Sequence, residues 1–315
     1  MKHSLSTLCL LLVCLSPGLL IAQEDSFRVS LLGTGIPTPN VHRFGAAILV
    51  EAGEVRLLFD AGRGVSIRLN QLGVPLGDLD GVFLTHFHHD HINGLGDLWM
   101  TGWQPTSFGN RKKPLSIWGP EGINSITDGL LATYALDIDI RVASEGLDRN
   151  AASFDVHPFT EMGVIFQQEG VSVTAFAVEH GEHIKPAVGY RVDYGDRSVL
   201  ISGDTRFDES IIEAAAGVDV LIHEVAYINP ELLRTNPATS RVFSNHTTPE
   251  QAGLIFNAVQ PRLAVFTHLA ILGVRESDAV IDNIIEDTRI NYQGPLVVGQ
   301  DLMRIEIGDE VIVSE

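Results

Sequence analysis

The chain has 315 residues, 45% of them hydrophobic, which is enough for one large globular domain with a sizeable core. Its 21 Lys and Arg stand against 40 Asp and Glu, a formal net charge of −19, so the surface repels polyanions at long range. This argues against a nucleic-acid partner, which needs clustered cations; the one dense basic run, Arg111-Lys112-Lys113, is short and suits a solvated loop.

Residues 1–22 have a basic start at Lys2, an apolar stretch from Leu8 to Val13 and a small residue at Ala22. They read as a secretory signal peptide, with a periplasmic or secreted product and no membrane span after cleavage. Both cysteines, Cys9 and Cys14, fall in this segment. The remaining chain therefore has no disulfide, thiolate ligand or thiol nucleophile, and any metal must be held by His and carboxylate. Without Lys2 the net charge moves from −19 to −20. No linker, repeat or low-complexity tract divides the rest, which reads as one domain over 26–315.

A strand is expected from Phe27 to Leu32, running into Gly33-Thr34-Gly35. A hairpin through Gly53 follows, from Ala46 to Val50 and from Val55 to Phe59. Helical patterns cover 63–72, 121–134, 207–216, 249–259 and 277–288. The clearest is 249–259, where Thr248 caps, Pro249 takes the first helical position and Gln251 completes a capping box. Further strands are expected over Val171 to Val178 and Val188 to Tyr194, with Gly195-Asp196 as a turn. Trp99, Trp103, Phe108 and Trp118 read equally as the wall of a substrate cleft and as core cover.

Short apolar runs repeatedly end in polar residues. Leu57-Leu58-Phe59 leads to Asp60, Val82-Phe83-Leu84 to Thr85-His86, and Val199-Leu200-Ile201 to Ser202-Gly203-Asp204. Val220-Leu221-Ile222 leads to His223-Glu224, and Ala264-Val265-Phe266 to Thr267-His268. Such runs suit strands buried on both faces, and the polar groups then gather along one edge of the fold. This grammar leaves open two packed sheets with helices outside or one doubly wound sheet.

The densest chemistry is Thr85-His86-Phe87-His88-His89-Asp90-His91. His86 and His88, two apart, point the same way in extended backbone, and Asp90 and His91 can turn toward an adjacent second metal. Asp204 can bridge two cations through its two oxygens. His268 stands at another strand end. His180 and His183 both remain candidates for the last ligand on spacing alone.

These motifs, with Val-Glu-His180-Gly, Gly189-Tyr190-Arg191, His246-Thr-Thr-Pro-Glu and Thr-His268-Leu, resemble the metallo-β-lactamase-fold hydrolases, in particular their ribonuclease Z and arylsulfatase-like branch. The resemblance runs from about residue 28 to 270 and implies a four-layer αββα sandwich with a dinuclear zinc site. It implies that His86, His88 and His180 hold one metal, that Asp90, His91 and His268 hold the other, and that Asp204 bridges them. Diiron members carry a carboxylate at the place of His88, so His88 favours two Zn2+. His89 is a bystander, and Asp60 accepts a hydrogen bond from a ligand histidine. Asp90 orients the nucleophile, and His246, backed by Glu224, serves as catalytic acid.

The activity expected is metal-bound hydroxide attack on a small anionic ester, a phosphodiester or an aryl sulfate. Ribonuclease Z-type tRNA 3′-processing, a lactonase or thioesterase, and a non-catalytic metal-binding protein are the alternatives. A homodimer is compatible with the sequence.

Overall fold

The computed structural model describes residues 26–314. In the first half, β1 (Phe27–Gly33), β2 (Ala47–Ala52) and β3 (Val55–Phe59) are followed by α1 (Val65–Gln71), β4 (Gly81–Phe83), α2 (His89–Ile92), α3 (Leu95–Trp103), β5 (Leu115–Pro120), α4 (Ile123–Glu145) and β6 (Phe154–Phe159). The second half runs through β7 (Gly163–Gln168), β8 (Val171–Ala177), β9 (Val188–Tyr194), β10 (Arg197–Ile201), α5 (Glu209–Ala214), β11 (Val220–Ile228), α6 (Pro230–Thr235), α7 (Pro237–Phe243), α8 (Pro249–Val259), β12 (Leu263–Leu272), α9 (Asp278–Arg289) and β13 (Leu296–Val298). Strands β14 (Arg304–Ile307) and β15 (Val311–Ser314) return to the first half.

Two sheets result, ordered β15-β14-β1-β2-β3-β4-β5-β6 and β13-β12-β11-β10-β9-β8-β7. Period-two alternation inside the apolar runs explains why they stack. Val199 and Ile201 face the other sheet while Leu200 faces the helices; Val220 and Ile222 divide in the same way from Leu221. The central core joins Val29, Leu57, Phe59 and Phe83 to Val173, Tyr190, Ile222 and Val265. A second core lies between the first sheet and α1, α3 and α4, and a third between the second sheet and α5, α8 and α9. This is the αββα sandwich, and the doubly wound alternative is set aside.

The capping box at Thr248 and Gln251 forms as expected, with both hydrogen bonds present. Helix α4 outruns its expected end at 134 by continuing to Glu145. Its apolar residues are dispersed around the helix, so sequence period gave no stop signal there. Trp99 is fully buried in the core beneath the first sheet's helices, and Trp118 stacks on Phe83 at 4.9 Å, so these rings pack the core. Among the described residues no helix is long and apolar enough to cross a membrane.

Candidate metal centre

The strand-end residues converge at one end of the sandwich, between the sheets. Strands β3 and β4 deliver Asp60 and the 85–91 loop. Strands β8, β10 and β12 deliver His180, Asp204 and His268. Helix α2 is a single turn, and it aims Asp90 and His91 inward while leaving His89 exposed. Its backbone sits on glycine: a Cβ on Gly62 would lie 2.3 Å from the Gly45 carbonyl carbon and 2.5 Å from the Asp90 oxygen. No side chain fits between these strands, which is why the loop can approach so closely.

His268 is aimed by a bulge. Strand β12 pairs with β11 through Thr267↔Glu224 and resumes at Leu269↔Val225, leaving His268 as the extra residue with φ +44°.

The donors form groups whose ligand atoms lie within 4.8 Å of one another: His86, His88, His180 and Asp204; Asp90, His91 and His268; and Asp204, His246 and His268. Asp204 Oδ2 is central, 3.8 Å from His86 Nε2, 3.6 Å from His180 Nε2, and 3.3 Å from both His91 Nε2 and His268 Nε2. His268 Nε2 also lies 3.3 Å from Asp90 Oδ2. The structure thus separates His180, which is buried in the cluster, from His183, which is exposed outside it.

Proton placement follows from the outer contacts. Asp60 Oδ1 accepts from the Thr85 amide at 2.8 Å, and Oδ2 accepts from Thr85 Oγ1 at 2.9 Å. The Thr85 hydroxyl proton is therefore committed to Asp60, and its oxygen, 3.0 Å from His86 Nδ1, must accept a proton from that ring. His91 Nδ1 donates to Asp60 Oδ2 at 2.7 Å, and His180 Nδ1 donates to the Asn245 carbonyl at 3.0 Å. In all three rings Nδ1 then carries the proton and Nε2 turns inward. His86 Nε2 meets His88 Nδ1 at 3.0 Å, two nitrogens for which a cation supplies the natural shared partner.

The electrostatics agree. Burial alone would raise Asp204, but the His268, His91 and His86 imidazoles hold its carboxyl well below the usual range. Burial depresses His86 and His180, so both rings are neutral and able to ligate. Burial also opposes a charge on His91, but Asp204 and Asp60 outweigh it and raise that ring well above its ordinary value. Buried polar atoms without a hydrogen-bond partner include His91 Nε2 and Asp204 Oδ1. Orphaned donors inside such a cluster fit a divalent cation.

Beside the cluster, Glu224 Oε1 accepts from His246 Nδ1 at 3.1 Å and from the Thr205 and Thr247 amides at 3.2 and 3.1 Å. Burial resists charge on His246, yet Glu224 pushes it up to about 9. Where β10 peels away toward Asp204, the Glu224 amide donates to Ser202 Oγ at 3.1 Å and its carbonyl accepts from His223 Nδ1 at 2.7 Å. Sequence reasoning missed Thr85 and Asn245 in this setting. Thr85 was visible beside His86, whereas Asn245 acts through its backbone and carries no side-chain signal.

Residues 55–269 match the Beta-lactamase superfamily domain. The ribonuclease Z of Mycobacterium marinum is 32% identical over 285 residues, covering 89% of this chain and 98% of that protein. The ribonuclease Z of Mycobacterium sp. (strain KMS) is 35% identical over 291 residues, covering 91% and 98%. The chain belongs to the ribonuclease Z branch of the metallo-β-lactamase superfamily. It is accordingly a metal-dependent hydrolase acting on ester bonds.

Crystal structures of other proteins share its fold. The metallo-β-lactamase-fold protein YhfI of Bacillus subtilis superposes with a TM-score of 0.69 at 20% identity, covering 90% of this chain and all of that one. The short form of human tRNase Z superposes with a TM-score of 0.64 at 22% identity, covering 89% and 99%.

Two expectations are overturned by the ribonuclease Z relatives. A nucleic-acid partner was argued against on net charge, but proteins matching nearly the whole chain are named as ribonucleases. Net charge sums over the entire surface and does not describe the field where buried histidines and a cation meet a phosphate. Export to the periplasm or medium is overturned on the same finding, since RNA, the substrate in the relatives' name, is made inside the cell. The expectation rested on one lysine and a short apolar run in residues 1–22, a composition not unique to leaders, and that segment lies outside the described residues.

Proposed function

We propose that this protein hydrolyses phosphodiester bonds in RNA as a ribonuclease Z-type endonuclease, with tRNA precursors as the substrate class, through one domain over 26–315 that holds two zinc ions. His86, His88 and His180 would hold the first cation, Asp90, His91 and His268 the second, and Asp204 would bridge. The ribonuclease Z relatives matching about nine-tenths of the chain support the RNA reading, and the proton placement supports the cation centre: three outer acceptors orient the rings so that Nε2 of His86, His91 and His180 faces Asp204. Imidazole and carboxylate donors, with no cysteine outside residues 1–22, suit zinc.

When bound, the cations supply Lewis acidity, raising the acidity of water and neutralising charge on the phosphoryl oxygens. The chain's own residues do the rest. Asp90 accepts a hydrogen bond from the attacking water and takes its proton. The water oxygen bonds to phosphorus as the bond to the leaving oxygen breaks. His246, protonated at neutral pH and oriented by Glu224, donates a proton to that oxygen. Its ring stacks 5.7 Å from His268 and meets His180 edge-on at 5.0 Å, so it overlooks the cluster.

The test is incubation of zinc-loaded protein with a 3′-extended tRNA precursor, with and without a chelator. Metal-dependent endonucleolytic cleavage is expected. Hydrolysis of bis-p-nitrophenyl phosphate with intact RNA would restrict the activity to small diesters and refute the RNA assignment.

A further inference from the structure

His268 sits in a left-handed conformation that an L-residue rarely adopts, so its surroundings must hold it there. The next residue, Leu269, is where β12 resumes its pairing with β11, and its N–H donates to the Thr34 carbonyl at 2.9 Å. Thr34 is itself pinned. Its amide and its hydroxyl both donate to Asp301 Oδ1, at 2.9 and 2.8 Å, and its Oγ1 accepts from Arg43 Nη1 at 2.7 Å. The other oxygen, Asp301 Oδ2, accepts from the Phe44 amide at 2.7 Å and from Arg68 Nη2 at 2.8 Å. Thr34 is fully buried, and the Asp301 side chain is 3% exposed.

We infer that Thr34 and Asp301 are positioning residues for His268: this anchor, outside the cluster, sets the bulge and thereby the affinity of the cation held by Asp90, His91 and His268. Asp301 lies beyond residue 269, where the superfamily match ends. The chain of contacts is continuous, from the Asp301 carboxylate through the Thr34 backbone to the Leu269 amide adjoining the histidine. The anchor does not touch His86, His88 or His180 through any of these bonds, so its effect falls on one cation. The inference rests on the two-cation reading.

The test titrates metal-free protein with zinc against a chromophoric chelator, with bound metal counted by mass spectrometry and apo-protein stability followed by thermal melting. Thr34→Val removes the hydroxyl at nearly constant volume, and Asp301→Asn alters the carboxylate. Thr34→Ser is the conservative rescue. Each of the first two is expected to weaken the second zinc about 10–100-fold while the first stays within twofold, with Thr34→Ser at parental affinity. Should Asp301→Asn fold poorly, Thr34→Val, the milder change, decides the matter. Unchanged affinities, or both zincs weakening in step with apo stability, would overturn the inference. His268→Ala is the control: if it binds the second zinc as tightly as the parent, His268 is not a ligand and this inference fails, whereas a parent that binds only one zinc refutes the two-cation reading itself.

Discussion

Asp60 is the carboxylate on which the proposed ligand set depends most, and Asp60→Asn is the sharpest way to perturb it. The native side chain accepts three hydrogen bonds, from the Thr85 amide, Thr85 Oγ1 and His91 Nδ1. An asparagine of the same shape can keep Oδ1 on the Thr85 amide, but it then turns an NH2 donor toward the Thr85 hydroxyl and His91. Thr85 Oγ1 must now accept from Asn, and its own proton moves to His86 Nδ1. His91 must likewise offer a lone pair at Nδ1. Both rings then carry their proton at Nε2, the atom facing Asp204 at 3.8 and 3.3 Å. One isosteric change thus turns His86 Nε2 from an inward-facing acceptor into a donor, and leaves on His91 Nε2 the proton that a cation must displace, with no Asp60 carboxylate to hold Nδ1–H in its place. Losing such outer support costs about 10–100-fold in metal affinity, or about 1.4–2.8 kcal/mol at 1.4 kcal/mol per decade. Zinc competition against a chelator of known affinity reads this directly. An Asp60→Asn protein that binds zinc within twofold of the parent would refute the tautomer argument.

His246→Ala should lower turnover by about 10²–10⁴ with bound metal unchanged; loss of metal would instead place His246 in the ligand group that it forms with Asp204 and His268. Gly62→Ala drives a Cβ into backbone atoms at 2.3 and 2.5 Å, so it should destabilise the fold by at least about 1–3 kcal/mol and reduce bound metal, read by melting and metal analysis. Zinc binding should also release protons at pH 7. The raised pKa of His91 means that the metal-free ring is protonated at neutral pH between Asp60 and Asp204, and a cation must displace that proton. Affinity should therefore fall as pH falls. Calorimetry in buffers of different ionisation enthalpy checks this, and zero proton release would contradict it.

The apolar runs ending in polar residues were legible because strands buried on both faces leave no other place for His and Asp than their ends. That pattern alone places Asp60, His86, Asp204, Glu224 and His268 along one edge of the fold. The choice between His180 and His183 was not legible from spacing, because it depends on how the segment after β8 folds over Asn245. The bulge at His268 was equally hidden, since it arises from Thr34 and the 299–303 segment, distant in sequence. Net charge misled for the opposite reason: it is the easiest quantity to read, yet it averages away the local chemistry on which substrate choice depends.

The central claim is metal-dependent cleavage of RNA at this cluster. It is tested most directly by following one 3′-extended tRNA precursor on a denaturing gel with parental, His246→Ala and Asp204→Asn proteins of measured zinc content. The parent is expected to give a discrete cleavage product, abolished by chelator and restored by zinc. Little product is expected from His246→Ala with its metal intact, and none from Asp204→Asn, with its metal depleted. An intact precursor with zinc-replete parent, or parental cleavage by Asp204→Asn, would contradict the claim.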